Sequence, residues 1–126
     1  MKVLRNKEIV NRYHFDLRNL KMEEEHGTPQ TRYNIEFHLV EKNETEQYTS
    51  IILVMHFINV QEKFVVSGAV SQQIKLTGGV VNEPSDISDE DKRSLAQPLF
   101  ELVNRLTYEV TEVAFDAPGI DLGEVR

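Results

Sequence analysis

Apolar and polar residues alternate over two long stretches of the chain. Tyr13, Phe15 and Leu17 are interleaved with His14, Asp16 and Arg18, and Tyr33, Ile35, Phe37 and Leu39 with Asn34, Glu36 and His38. A period of two marks a strand with one buried face, because successive side chains leave a strand on opposite sides. The pattern predicts strands over about 9–20 and 31–40. The charged segment 21–30, broken by Gly27 and Pro29, reads as the connection between them.

Tyr48–Val60 departs from this pattern, being apolar on both faces. As a strand over 48–60 it sets Ile51, Leu53, Met55 and Phe57 on one side and Ile52, Val54 and Ile58 on the other. The polar turn Gln61-Glu62-Lys63 leads to a fourth strand over about 63–77, where Gly68 and Ser71-Gln72-Gln73 suggest a bulge or bend and Gly78-Gly79 closes the element.

The period then changes. Leu95, Leu99, Leu102, Val103, Leu106, Val110 and Val113 recur at intervals that place them on one stripe of a helix, predicted over about 89–114. Ser88 stands at its N-cap position, three residues before Asp91. Pro98 removes a backbone donor, so a kink or a fresh start is expected there, and Pro118-Gly119 ends the helix. The elements specify an α+β, two-layer fold: a four-stranded antiparallel sheet covered on one face by a long C-terminal helix, in a single domain over 1–126. One helix covers one sheet face. Ile52, Val54 and Ile58 are left on the other, and they are the candidate subunit interface.

Composition narrows the function. A net charge of −7 argues against nucleic acid as a partner, and no basic patch is interleaved with aromatics. Residues 1–20 nevertheless balance to +3, leaving −10 for the remainder. The absence of cysteine excludes a disulfide framework, a thiolate metal site and a cysteine nucleophile, and agrees with a reducing cytoplasm. The longest apolar run, Ile51–Met55, is too short to span a bilayer, and the start of the chain lacks a secretory signal pattern. A cytoplasmic protein that does not insert in membranes is expected.

No motif points to catalysis, a cofactor or a metal. His14, His38 and His56 fall on strands. With the hairpin turn centred near Glu44, His38 would pair near Ser50 and lie roughly 20 Å from His56, too far to share an ion. Asp86, Asp89, Glu90 and Asp91 suggest calcium, but Asp91 and Gln97 occupy the positions where an EF-hand loop needs glycine and glutamate. These acids suit a helix N-terminus instead. Gly78-Gly79 lacks a phosphate-loop context, and no nucleophile elbow occurs.

The helix segment Val103-Asn104-Arg105-Leu106-Thr107-Tyr108, followed by Ala117-Pro118-Gly119-Ile120-Asp121-Leu122, resembles the SecB family of bacterial export chaperones. That family carries Val-Ser-Arg-Gly-Thr-Phe in its helix and Ala-Pro-Val-Asn-Phe soon after. Phe64-Val65-Val66-Ser67 falls where the family has Phe-Leu-Cys-Glu. The chain is similar in particular to small SecB-like bacterial proteins of unassigned function. The resemblance implies a sheet of order 1-4-3-2, assembly with itself into a dimer or a dimer of dimers, a 21–30 connection that crosses the sheet, and an apolar groove for unfolded polypeptide. Ser67 stands where the family offers an acid to the export motor, so that partnership is not implied.

The expected protein is a non-enzymatic SecB-like binder, a holdase for unfolded or exported chains. Phe57, Phe64, Tyr108 and Phe115, with Met55, are candidates to line the client groove, and a two-layer domain could equally use them as core. The alternative is a homo-oligomeric module with one dedicated partner and no chaperone activity. A small-ligand binder is a third reading.

Overall fold

The period-two pattern becomes a sheet with one face against a helix. The structure, a computed structural model, describes residues 2–122; Met1 and positions 123–126 of the expected 1–126 domain lie outside the described residues. The strands are β1 (Lys2–Arg5), β2 (Ile9–Leu17), β3 (Arg32–Asn43), β4 (Tyr48–Val60) and β5 (Phe64–Thr77); the helices are α1 (Leu20–His26) and α2 (Asp89–Phe115), with a single 3-10 turn at Pro84–Asp86.

The sheet has five antiparallel strands rather than the expected four, in the order β1-β5-β4-β3 with β2 also on β5. β1 and β2 share the outer side of β5: β1 pairs with Ile74–Thr77 and β2 with Phe64–Ser71. Between them Asn6 N donates to the Gln73 carbonyl at 3.0 Å, while the Gln72 side-chain amide donates to the Asn6 carbonyl at 2.8 Å. A side chain thus satisfies a backbone group that a continuous ladder would have paired. β1 is short, with only Val3 and Leu4 apolar, and gives no readable alternation.

The first long strand ends at Leu17, not at residue 20, because the connection holds a helix of its own. Asn19 Oδ1 accepts from Met22 N at 3.1 Å, and Gly27 closes α1 at φ 95°, a left-handed conformation that glycine adopts without a Cβ clash. No residue of α1 is buried, so no apolar stripe announces it. The connection runs past the β4–β5 turn. The Arg18 guanidinium forks onto Glu23 at 2.6 and 3.1 Å and reaches the Gln61 carbonyl at 3.1 Å; Thr31 Oγ1 accepts from Val60 N at 2.9 Å.

The bulge lies in β2, between Val10 and Arg12, and not in β5. Gly68 permits it from the opposite strand: a Cβ there would stand 2.1 Å from the Arg12 carbonyl oxygen.

The core forms where α2 lies over β4 and β5. Ile51, Leu53 and Met55 are fully buried with Val66, Val70 and Ile74 of β5, and Leu99 and Val103 of α2 close over them. Ser88 Oγ accepts from Asp91 N at 3.1 Å and caps the helix, whose first turn carries Asp89, Glu90 and Asp91. No break occurs at Pro98: α2 is helical throughout, and Arg5 of β1 supplies donors to the turn that the proline disrupts. After Phe115 the chain reverses along α2. Thr111 Oγ1 accepts from Ile120 N and Asn104 Oδ1 from Leu122 N, both at 2.9 Å, and Gly119 sits against the Tyr108 ring. The two segments that carry the SecB resemblance therefore pack on one another.

Candidate functional site

Ile52, Val54 and Ile58 occupy alternate positions of β4 on the face opposite α2, as the pattern predicts. Each is half-buried, while Ile51, Leu53 and Met55 between and beside them are fully buried under the helix. Their neighbours on β5 are Gln73, Ser71 and Ser67, and on β3 His38, Glu36 and Arg32. The apolar row on β4 is therefore flanked by polar rows.

A polar chain crosses this face from β2 to β3. The Arg12 guanidinium lies 3.4 Å from His56 Nδ1; His56 Nε2 lies 3.4 Å and His38 Nε2 3.2 Å from one oxygen of Glu36. The expected separation of roughly 20 Å between His38 and His56 is thus corrected. The hairpin pairs Asn43 with Tyr48, and a bulge in β3 between Leu39 and Glu41 sets His38 opposite Ile52 and Glu36 opposite Val54, so the carboxylate stands between the two rings. The hydrogen bond with His38, then that with His56, holds the Glu36 carboxyl below its usual range. Glu36, His38 and His56 meet through that one carboxylate oxygen, and among the described residues no group of three or more histidine, cysteine or acidic side chains is arranged to hold a metal ion.

Beside this chain the face dips into a hollow of about 500 Å³, bounded by Arg12 and His14 of β2, His56 and Ile58 of β4 and Arg32 and Asn34 of β3. Ser67 also lines it, so Arg12 and Arg32 share a hollow with the residue that stands where the resemblance would put an acid.

The candidate groove aromatics are divided among three places. Phe64 stacks on Phe15 at 5.2 Å, and Phe115 lies 5.8 Å from both rings. Phe64 and Phe115 border a hollow of about 510 Å³ that runs from the β4–β5 turn at Gln61–Lys63 to Pro118 and Ile120. Phe57 is 2% exposed, between the rings of Tyr13 and Tyr33, and Met55 is wholly buried. Tyr108 is 43% exposed on the far stretch of α2. Phe15, Pro118 and Ile120 belong with Phe64 and Phe115 but were not singled out by sequence; the alternation of Phe15 with His14 and Asp16 marked it as inward-facing, and nothing local ties the 117–122 segment to the β4–β5 turn.

Burial pushes the Tyr13 and Tyr33 hydroxyls up in pKa, each partly offset by a hydrogen bond, with Thr107 at 3.0 Å and from Asn59 at 2.8 Å. No buried side-chain polar atom among the described residues lacks a partner. The hollows combine apolar floors with polar rims, the make-up of a binding surface.

A crystal structure of a protein of unknown function from Streptococcus agalactiae matches at 48% identity and a TM-score of 0.94, with 98% of each chain covered. A Mycobacterium tuberculosis SecB-like chaperone, Rv1957, solved in complex with a ChAD peptide from the Rv1956 HigA1 antitoxin, matches at a TM-score of 0.54 and 10% identity over 98% of this chain and 90% of that one. At that identity the likeness concerns the fold. No curated protein matches the sequence. The expected SecB-like architecture is present, and the model described as "Protein of unknown function (DUF1149)" matches residues 1–123: the chain belongs to that family.

Proposed function

We propose that this protein is a non-enzymatic binder of polypeptide, a SecB-like holdase acting in the cytoplasm. The observation that carries the reading is the unequal treatment of the two faces of β4: Ile51, Leu53 and Met55 are sealed under α2, while Ile52, Val54 and Ile58 form an apolar row on the opposite face. Apolar side chains in the middle of a polar-edged face suit association with another chain. The SecB-like fold supports the reading, since the Mycobacterium tuberculosis protein of that fold was solved with a peptide bound. In this account Ile52, Val54 and Ile58 serve self-association into a dimer or a dimer of dimers, and the hollow beside Phe64 and Phe115 receives client side chains. Phe57 and Tyr108 contribute at most indirectly, Phe57 through the core and Tyr108 by seating Gly119.

The test is dilution of a chemically denatured client into buffer with and without the protein. Aggregation is expected to fall with increasing protein, and an unchanged light-scattering trace at molar excess would sink the holdase reading. The second reading, a homo-oligomeric module without chaperone activity, rests on the same apolar row. It requires a stable oligomer that Ile52→Asp or Val54→Asp dissociates, and parental mass in both variants would exclude that interface.

A further inference from the structure

β3 is an edge strand: of the strands described it pairs only with β4. Its 12 residues extend about 40 Å, and every second residue turns its N–H and C=O outward, away from the ladder. An edge strand without a second ladder partner is a template for another strand. Between this edge and α2 lies a groove of about 450 Å³. Its floor is Tyr33, Ile35 and Phe37, alternate residues of β3, with Phe100 of α2, whose ring lies 5.4 Å from Tyr33. All four are half-buried.

The rim of this groove is cationic in a chain of net charge −7. Arg32, Lys92 and Arg93 border it, and Lys92 reaches over the Phe37 ring at 5.7 Å. Among the described residues none of the three is in an ion pair. Unpaired cations around an apolar floor are complementary to a ligand that is both acidic and apolar. The exposed backbone edge selects among such ligands, because only a polypeptide in extended form can continue the ladder while placing alternate side chains beside Tyr33, Ile35 and Phe37.

We infer that the outer edge of β3 takes up an extended acidic–apolar segment of a partner polypeptide as an added strand, with apolar side chains in the groove and carboxylates on Arg32, Lys92 and Arg93. This deepens the polypeptide-binding reading and rests on it, adding to the hollow beside Phe64 and Phe115 a second place for the bound chain, with its conformation and charge.

The test is fluorescence anisotropy with a short labelled peptide that alternates glutamate with valine and phenylalanine. The protein is expected to bind it, to bind about tenfold more weakly with Lys92→Glu and Arg93→Glu together, as the loss of two rim ion pairs implies, and to reject the peptide with lysine for glutamate. N-methylation of alternate peptide nitrogens is expected to abolish binding. Both substitutions place acids near the start of α2, where the helix dipole favours them, so the variant keeps its fold, as circular dichroism checks. Equal binding by parent and double variant, undiminished binding of the N-methylated peptide, or uptake of anionic vesicles but not of the peptide would each overturn the inference. If parent and double variant bind the peptide alike while both suppress client aggregation, the groove is wrong and the holdase reading stands; peptide binding governed by Lys92 and Arg93 without suppression supports the groove and sinks the holdase.

Discussion

The Arg5 guanidinium, on the first strand, donates to the Leu95 carbonyl at 3.0 Å and lies 3.5 Å from that of Ser94, the oxygen that a non-proline residue at 98 would bond in the helix. Gln72, 2% exposed beneath the helix, accepts from the same guanidinium at 3.0 Å. A cation borrowed from another element thus reaches the Ser94 carbonyl, which the proline leaves without its intrahelical donor, and the Leu95 carbonyl beside it. Pro98→Ala is expected to restore the intrahelical bond and to reduce the cost of losing Arg5. Arg5→Met should cost about 1–2 kcal/mol in the parent and less in the Pro98→Ala background, read from urea unfolding of the four proteins in the cycle. Strict additivity would show that Arg5 does not answer the proline.

Gly68 and Gly79 make a paired comparison. A Cβ at 68 would collide with the backbone of β2 at Arg12, whereas at 79 nothing lies within 4 Å. Gly68→Ala is expected to destabilise by about 1–3 kcal/mol, since a strand must move, and Gly79→Ala to stay within about 0.5 kcal/mol of the parent. Thermal unfolding of both variants checks the contrast. Equal effects would show that the close approach at the β2 bulge is unimportant.

Acid sensitivity follows from Arg18 and Glu23. The hydrogen bond from Arg18 holds the Glu23 carboxyl below its usual range, and the opposite charge adds to it. A carboxyl with a depressed folded pKa adds stability that is present above its unfolded value and disappears as pH falls through the folded one. Glu23→Gln should therefore be less stable than the parent near neutrality and equal to it once pH is below the folded pKa. Denaturant midpoints over that range check the sign, and a gap that widens towards acid would contradict it.

What could be read from sequence, and what could not, divides along physical lines. β4 and α2 were legible because long apolar patterns of a single period specify them, and Ile52, Val54 and Ile58 fall on one face for the same reason. β1 and α1 were not: four residues show too little alternation, and a helix that buries nothing has no stripe, although Asn19 and Gly27 were its caps in plain view. The Glu36–His38–His56 contact was missed because register depends on the turn and a bulge, and a two-residue error in the register, Ser50 for Ile52 opposite His38, moved His56 out of reach. Phe64 and Phe115 meet only through tertiary packing, which no local pattern encodes.

The central claim is that this fold holds polypeptide. Its most direct test is the binding of a permanently unfolded, fluorescently labelled chain to the purified protein, followed by anisotropy and by the mass of the complex in light scattering. The account predicts saturable binding and a discrete complex heavier than the protein alone. Anisotropy that stays at the value of the free chain up to a large molar excess would contradict it.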